Sequence, residues 1–373
     1  MNIFSAPSKY PFGLDISDRS FKIVQLNKKR HNIVLQAIGK WRVPSGAIED
    51  GIIKDQKTVI GIINKLINKP MYGKISSKNV IASLPETKTF INLIDIDASE
   101  GEFRNVLERK IEKNIPYTLD EVNYDWQVVE KNKKIKKVLV GIVEKKVANQ
   151  YYNILNEAGL TPIALEIEAV AISRSLLPIS AKKILPTLIV DVGAERSSCV
   201  AFANNSILFT MSLPLSGHEI TDDIAKKLRI PKHKAEAAKI VCGLDPHHAN
   251  GDIAKILNNK IKKLADRIKE VAEHLRTNYP EYSEVNRIYL SGGGTQINGI
   301  ADKLTSELKI PVYIGNVLMN FNINYSIEQK YLHEEYSTFK KLAKKNKVKQ
   351  NMSLQFATAI GLALRGIYSD KLK

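Results

Sequence analysis

Cysteine and tryptophan are scarce in this chain, which contains two of each among its 373 residues. The two cysteines, Cys199 and Cys242, lack the close spacing of a metal-binding motif and suggest no disulfide framework. This usage is typical of a reducing compartment. Long apolar runs are also absent, since segments such as Val138–Val143 are far shorter than a membrane span.

The N-terminal segment lacks a basic stretch followed by an apolar one, so we predict no signal peptide. A hydrophobic content of 44% and a charged content of 25% are those of a soluble globular protein. The chain is too long for one ordinary core and suits two or more lobes. We therefore expect a cytoplasmic protein, or one that lies peripherally on a membrane.

Basic residues are in excess, and the formal net charge is +17. Such a charge invites a nucleic-acid interpretation. The excess is mostly lysine, however, and it is spread along the chain, with dense segments at Lys131–Lys137 and Lys340–Lys349. We interpret these lysines as solvated surface residues and expect no nucleic-acid partner. Attraction to an anionic membrane face is the alternative that the charge leaves open.

The stretch Pro186–Leu215 predicts a β-hairpin with a carboxylate at its turn. An apolar strand, Thr187–Val190, is followed by Asp191, and Gly193 permits a tight turn before the strand Ser198–Phe202. Backbone N–H groups in such a turn can bind phosphate oxygens, and the carboxylate can hold Mg²⁺ through water. We interpret this hairpin as one half of a phosphate and magnesium site.

A similar hairpin, Phe12–Leu26, lies near the N-terminus. When Asp15 is superposed on Asp191, Ser17 falls on Gly193, and the apolar residues of the following strands also coincide. This similarity predicts two related α/β halves, each of which brings one acidic hairpin to a shared cleft. Either aspartate alone could simply cap a turn, so the prediction depends on the pairing.

The segment between the two hairpins predicts a small inserted α+β module with the pattern strand–helix–strand–strand, closed by a helix over 145–158. We assign the chain to three units on this basis. The first lobe comprises residues 10–87, 163–185 and 352–373; the module comprises 88–162; the second lobe comprises 186–351, with a charged insertion at 325–351.

Two further segments outside the hairpins bear on the site and the module. Within the module, Ser99 and Glu102 form the pattern of a capping box that opens a helix. The mostly apolar segment 165–177 predicts another helix, which carries the carboxylates Glu166 and Glu168.

The second half contains two candidate nucleotide-binding segments. Pro231 begins a helix in which Glu236 and Lys239 lie on one face. Farther on, a strand at 287–290 runs into Ser291–Thr295, a turn with three consecutive glycines before a helix. Such glycines let the backbone approach a ligand, and a helix N-terminus favours anions. A plain tight turn explains the glycines equally well, but their occurrence beside two acidic hairpins favours a ligand.

The order of these features is similar to that of the actin-like ATPase superfamily, which includes actin, the heat-shock chaperone ATPase domain, MreB and FtsA. Within it, the chain resembles the PilM family of type IV pilus assembly proteins over nearly its whole length. The resemblance rests on the ordered segments GLDISDRSFKIVQL, IPYTLDEVNYDW, IVDVGAERSSCVAF and LSGGGTQINGIADKL. It implies an α/β, actin-like two-lobed ATPase fold with duplicated ribonuclease H-like halves and an inserted module of the SHS2 type that FtsA shares.

The resemblance also implies roles for individual residues, with ATP and Mg²⁺ as cofactors. Asp15 and Asp191 would hold Mg²⁺ through water, and Glu168 would orient the attacking water. The residues implied in nucleotide binding are Ser17, Asp18, Ser20 and Lys22 in the first turn; Gly193 and Ser197 in the second turn; Gly217; Glu236 and Lys239, which match ribose or adenine contacts; and Gly292, Gly293, Gly294 and Gln296, which match contacts to the nucleoside and base.

Two residues of the first turn depart from the family pattern. Ser17 replaces the usual glycine, and Asp18 replaces a small hydroxyl residue. A carboxylate beside a phosphate is repulsive unless Mg²⁺ or a lysine such as Lys22 offsets its charge. Glu168 also has an alternative interpretation, as an ordinary solvated helix residue.

The leading functional hypothesis that the resemblance implies is an assembly scaffold on the cytoplasmic face of the inner membrane. Its partners would be the N-terminal cytoplasmic tail of PilN, in a groove between the module and the first lobe, and other proteins of the pilus platform. Nucleotide would act mainly as a conformational ligand, with slow hydrolysis at most, and a homo-oligomer is possible.

Three alternatives belong to other functional classes. A working ATPase would drive assembly by turnover. A cell-division or cell-shape filament protein would resemble FtsA or MreB, but FtsA ends in a membrane-binding amphipathic helix, and the segment IYSDKLK is too short and too polar for one. A sugar kinase would need a catalytic base aimed at a hydroxyl, and the sequence shows no motif for one.

Overall fold

A computed structural model of the chain describes residues 10–30, 32–131, 134–179, 181–321 and 352–368. Its strands are β1 (Phe12–Ile16), β2 (Ser20–Lys29), β3 (Asn32–Arg42), β4 (Ile48–Glu49), β5 (Ile52–Ile53), β6 (Tyr72–Gly73), β7 (Asn79–Leu84), β8 (Thr89–Asp97), β9 (Val122–Lys131), β10 (Ile135–Glu144), β11 (Thr161–Ile167), β12 (Thr187–Val192), β13 (Ser197–Ala203), β14 (Ser206–Leu213), β15 (Arg287–Ser291) and β16 (Val312–Ile314). The α-helices are α1 (Gln56–Asn68), α2 (Phe103–Asn114), α3 (Lys145–Glu157), α4 (Glu168–Leu176), α5 (Gly217–Leu228), α6 (Lys232–Cys242), α7 (Asp252–Asn278), α8 (Ile300–Leu308) and α9 (Ala357–Tyr368). The predicted charged insertion at 325–351 lies outside the described residues.

Two sheets of the same connectivity form the core of the fold. The strand order of the first is β11-β7-β1-β2-β3-β6, and that of the second begins β16-β15-β12-β13-β14. In each sheet the central strand, β1 or β12, pairs antiparallel with the next strand of the chain and parallel with β7 or β15. These central strands are almost completely buried, as parallel strands covered on both faces require. The predicted duplication of α/β halves is therefore confirmed.

Helices α4 and α9 pack between the two halves. One buried apolar cluster contains residues of both helices together with Val24 of the first sheet and Ile189 of the second. The two helices approach so closely that a Cβ at Gly361 would overlap the carbonyl oxygen of Ala171. The close packing of α4 and α9 therefore depends on the absence of a side chain at Gly361.

The inserted module has an apolar core of its own, and its elements also contact both lobes. Its helix α2 packs on β9 and β10 through a separate apolar cluster. Strand β8 pairs with β14 at Phe209 and Asn92, so the second sheet continues as β14-β8-β10-β9. Helix α3, which we assigned to the module, contributes Tyr151 and its other buried residues to the core of the first lobe. The exact residues at which lobes and module meet stay predictions.

We predicted a single helix over 165–177, and this prediction is wrong because the first part of the segment belongs to a sheet. Strand β11 pairs parallel with β7 up to Ile167, and α4 begins only at Glu168. Glu166 therefore lies on a strand, where Arg174 donates to both of its carboxylate oxygens at 2.7 and 2.8 Å. The predicted capping box is also absent, since the side chain of Glu102 itself caps α2.

Among the residues that the structure describes, no helix combines the length and the apolar character needed to cross a membrane.

Candidate functional site

The turns of the two acidic hairpins meet at one cleft. Arg19 of the first turn forms an ion pair with Glu195 of the second. Behind these tips, Asp15 and Asp191 occupy equivalent positions on β1 and β12. Burial raises the pKa of Asp191; the negative charge of Asp15 adds to the rise, and Ser291 and Lys22 oppose it. The two carboxylates predicted to face a shared cleft are thus close enough to interact electrostatically.

Lys22 neutralises one of these carboxylates. It lies opposite Asp15 in the register of β1 and β2, and its Nζ donates to Asp15 Oδ2 at 2.6 Å. Both side chains are nearly buried, with exposed fractions of 12% and 6%. Because its ammonium group is already engaged, Lys22 has limited capacity to bind a further anion.

Glu168 is brought to the same cleft as the first residue of α4. Its pKa is raised well above the usual glutamate range, first by burial and then by the negative charges of Asp15, Glu86 and Asp191. We call these four side chains the cleft carboxylates. The single lysine that opposes the pKa rise of Glu168 is Lys22. The cleft therefore carries more negative than positive charge.

Glu86 is the member of this group that sequence analysis missed. It follows Pro85 at the end of β7, in a short 3₁₀ turn. Burial raises its pKa to about 7; a hydrogen bond from Ser198 and the charge of Arg196 lower it, and the charge of Asp191 raises it. One signal was available: β7 is the parallel neighbour of β1, and the carboxyl ends of neighbouring parallel strands meet at the ligand side of a sheet.

Glu86 predicts a specific dependence of stability on pH. The folded-state pKa near 7 exceeds the unfolded value near 4.5, so the folded state binds more protons between them. Stability contributed by this group therefore falls as pH rises from about 4.5 to 7. We expect Glu86→Gln to raise the free energy of unfolding at pH 8 by on the order of 2 kcal/mol, with little change at pH 4.5.

Urea denaturation of the nucleotide-free protein at both pH values tests this expectation. Glu270→Gln, which removes an exposed carboxylate from α7, serves as the control and should change neither value appreciably. An equal effect of Glu86→Gln at pH 4.5 and pH 8 would contradict the assignment, because it would not depend on ionisation.

The first turn holds its polar residues in internal contacts. Ser17 Oγ donates to the carbonyl oxygen of Ser20 at 2.8 Å. The Asp18 carboxylate accepts hydrogen bonds from the backbone N–H groups of Asp50 and Gly51, both at 3.1 Å. These two donors offset the negative charge of Asp18, a charge that would otherwise repel a phosphate.

The second turn is tighter. Gly193 N donates to Arg196 O at 2.9 Å, and a Cβ at Gly193 would overlap that oxygen. Ser197 is 1% exposed, and its Oγ donates to Leu215 O at 2.7 Å. The hydroxyl of Ser197 thus anchors the strand end within the turn, while Gly193 makes the turn sterically possible.

Helices α5 and α6 bring a buried cation beside the second turn. Gly217 N donates to Gly193 O at 3.0 Å, which joins α5 to the turn. Lys239 Nζ donates to Gly217 O at 2.8 Å and to Glu236 Oε2 at 2.7 Å. Burial lowers the pKa of Lys239, and the charge of Glu236 opposes this. The structure therefore brings together the predicted residues Gly193, Gly217, Glu236 and Lys239.

The glycine turn after β15 lies against the end of β12. Gly292 has φ of 78°, and a Cβ there would come within 2.9 Å of Asp191 Oδ1. A Cβ at Gly294 would overlap the side chain of Val192, whereas one at Gly293 would meet no described atom within 4 Å. The buried Oε1 of Gln296 finds no hydrogen-bond partner within the described part of the chain. This turn thus contacts Asp191 at Gly292, has open space at Gly293 and contains a buried acceptor at Gln296.

Comparison with known families gives one match over nearly the whole chain. The family model of the type IV pilus assembly protein PilM matches residues 13–367. Curated relatives are cell division proteins FtsA. That of Pseudomonas aeruginosa is 26% identical over 180 residues, which is 43% of this chain and 43% of its own length. That of Escherichia coli K12 is 21% identical over 329 residues, or 76% of this chain and 78% of the relative.

Solved structures share the fold. A chain of the PilM–PilN type IV pilus biogenesis complex aligns with a TM-score of 0.76 at 21% identity, covering 97% of this chain and 99% of that one. EutJ of Carboxydothermus hydrogenoformans gives 0.56 at 16% identity, covering 96% and 90%. MreB5 of Spiroplasma citri bound to ADP gives 0.52 at 17% identity, covering 84% and 94%. These likenesses confirm the actin-like fold.

The family match spans both acidic hairpins, the inserted module and the glycine turn, which are the segments on which the sequence resemblance rested. The matched range also includes α4 and most of α9, between the lobes. The chain belongs to the PilM family of type IV pilus assembly proteins.

Proposed function

We propose that the chain is an ATP-binding scaffold of type IV pilus assembly that binds the cytoplasmic tail of PilN. The observation that carries the proposal is the meeting of two acidic hairpin turns at one cleft, in a chain of this family. An ADP-bound MreB5 and a PilM–PilN complex among the structures of the same fold support the nucleotide and the partner, respectively.

The charge of the cleft fits a divalent cation. Four carboxylates face one lysine, and a cation such as Mg²⁺ would offset their mutual repulsion. No group of three acidic, histidine or cysteine side chains among the described residues has the geometry of a direct metal site. We propose that Asp15 and Asp191 would hold Mg²⁺ through water, and that the bound ion would neutralise phosphate charge.

The nucleotide would lie along the cleft between the two turns. The N–H groups of the turns would bind the phosphates, while Lys239 and Glu236 lie where the resemblance places the ribose or adenine contacts. The open space at Gly293 and the unsatisfied Oε1 of Gln296 suit the nucleoside. A base that donates to Gln296 would satisfy this acceptor once the side chain turns toward the nucleoside.

Glu168 is poorly prepared to act as a base in the cation-free protein. Burial and the negative charges of Asp15, Glu86 and Asp191 raise its pKa, whereas a bound Mg²⁺ would oppose this rise. We propose that hydrolysis is slow at most and that the nucleotide acts mainly as a conformational ligand. It biases the lobes only in so far as it binds one arrangement better than the other.

An open strand edge supports the site of the PilN tail. Strand β11 is the outermost described strand of the first sheet, and Ile163 on it is 55% exposed. The module meets the same strand, since a Cβ at Gly141 of β10 would lie 3.0 Å from Cδ1 of Ile167. An extended peptide in this seam could pair with the edge of β11 and cover Ile163. Membrane association would then follow from the partner.

Binding of a fluorescent peptide with the sequence of the PilN cytoplasmic tail tests this proposal. We expect Ile163→Asp to weaken binding about tenfold or more, because it puts a charge where apolar area is buried. The matched control is Ile314→Asp, an exposed isoleucine on β16 at the corresponding edge of the second sheet. Equal loss in both variants, or none in Ile163→Asp, would contradict the location.

The FtsA relatives are cell division proteins, which favours one competing function, a role in cell division. The form of that function considered above is a filament. ATP-dependent pelleting of the purified protein alone would support that reading. Tail binding by a protein that stays in the supernatant with ATP would support the scaffold.

A further inference from the structure

Both turns carry the same triplet at their tips, an acidic residue followed by arginine and serine. The triplets are Asp18-Arg19-Ser20 and Glu195-Arg196-Ser197. In each turn the arginine reaches across the cleft to a carboxylate of the opposite lobe. Arg19 pairs with Glu195, and Arg196 pairs with Asp50 in the loop between β4 and β5. The charge of Arg196 also acts on Glu86, so this guanidinium lies near the cleft carboxylates.

These two cross-cleft ion pairs are exposed and hence weak. The exposed fractions of the side chains are 46% and 33% for Arg19 and Glu195, and 47% and 52% for Arg196 and Asp50. Pairs of this kind contribute about 0–1 kcal/mol, because water and salt screen them. A guanidinium binds phosphate through two parallel hydrogen bonds and is less strongly hydrated than an ammonium group. Both arginines can therefore leave their partners for a phosphate at little cost.

The carboxylates would not be left unpaired by such an exchange. Glu195 Oε1 also contacts His218 Nδ1 at 2.8 Å, and Asp50 Oδ2 also accepts from Lys88 Nζ at 3.3 Å. Meanwhile the polyphosphate needs cations near the turns, and Lys22 is already held by Asp15 at 2.6 Å. The arginines are the remaining cations on the two turns themselves.

We propose that Arg19 and Arg196 are phosphate-binding residues that exchange Glu195 and Asp50 for the polyphosphate of a nucleoside di- or triphosphate. The inference rests on the proposed function and names two residues of the same site. Nucleotide binding then replaces two direct bridges between the lobes with bridges that run through the phosphates. Adenosine, which has no phosphate, leaves the original ion pairs in place.

The exchange predicts opposite effects for the two members of each pair. Arg19→Gln removes a phosphate ligand, and we expect it to weaken ATP binding about tenfold. Glu195→Gln releases Arg19 from its competitor, and we expect it to tighten ATP binding about two- to fivefold. Arg196→Gln and Asp50→Asn should repeat this pattern. Adenosine affinity should change less than twofold in all four variants.

Titration of the full chain with a fluorescent ATP analogue and with adenosine, in Mg²⁺, measures these affinities. Arg276→Gln is the control for loss of one positive charge, because it breaks an exposed ion pair with Glu273 on α7. Weakening by both Arg19→Gln and Glu195→Gln would overturn the exchange and indicate a simple latch between the lobes. Absence of any ATP binding to the unmodified chain would overturn the proposed function itself, a distinguishable result.

Discussion

Replacing Gly361 with alanine should lower the free energy of unfolding by about 3 kcal/mol or more, because the added methyl has no space. A Cβ at this position would overlap the carbonyl oxygen and the carbonyl carbon of Ala171, both backbone atoms of α4. Helix α9 also contacts β1, where a Cβ at Gly13 would overlap Ala359 O. Because α9 is held between α4 and β1, it cannot shift away from the added methyl without losing its packing. Thermal and urea denaturation should both detect the lower stability.

Gly61 provides a matched control. It lies inside α1, and a Cβ there would meet no described atom within 4 Å. Gly61→Ala should therefore stabilise the protein by about 0.5–1 kcal/mol, since alanine restricts the unfolded chain and favours the helix. If Gly361→Ala were as stable as the unmodified chain, the close crossing of α4 and α9 would be wrong.

Asp191→Ala should weaken Mg²⁺-dependent ATP binding about 10- to 100-fold, the usual cost of removing a group that holds a metal through an outer shell. The effect should be much smaller in EDTA, because loss of a cleft carboxylate then relieves repulsion of the phosphates. The affinity for the PilN tail peptide, measured without nucleotide, should stay within about twofold, since Ile163 lies on the outer edge of the other sheet.

Fluorescence titration with and without Mg²⁺ measures both parts of this prediction. Asp266→Ala removes an exposed aspartate of α7 that pairs with Lys269 and should alter neither affinity. Equal weakening in Mg²⁺ and in EDTA would show that Asp191 supports the fold of the cleft rather than the cation. Loss of tail binding would show that the nucleotide and peptide sites are not separable.

The duplicated architecture could be predicted because each half contains a hairpin with a recognisable local sequence pattern. The two hairpins combine buried apolar strands, an aspartate at the strand end and a tight turn, and the pairing of Asp15 with Lys22 and of Asp191 with Ser198 repeats the same register. Local hydrophobic patterns specify such units strongly, since a slip by one residue would expose a buried face.

The predictions that were wrong or missing concern features that depend on contacts between distant segments of the chain. Residues 165–177 are apolar enough for either a strand or a helix, and only pairing with β7 decides where β11 ends. Glu86 approaches Ser198 from a different lobe, and Arg196 approaches Asp50 across 146 positions of sequence. No periodicity in the sequence encodes such meetings, so the extra carboxylate and both arginine pairs required the folded chain.

The module contacts both halves: β8 pairs with β14 of the second sheet, and Gly141 lies against Ile167 of the first. Under the proposed function, a peptide in that seam and a nucleotide held by the turns would both bias the arrangement of the two halves. Thermodynamics then makes their influence mutual: whatever factor ATP applies to the dissociation constant of the tail, the tail must apply to that of ATP. The affinity for the partner and the affinity for nucleotide would then both depend on the same arrangement of the two lobes.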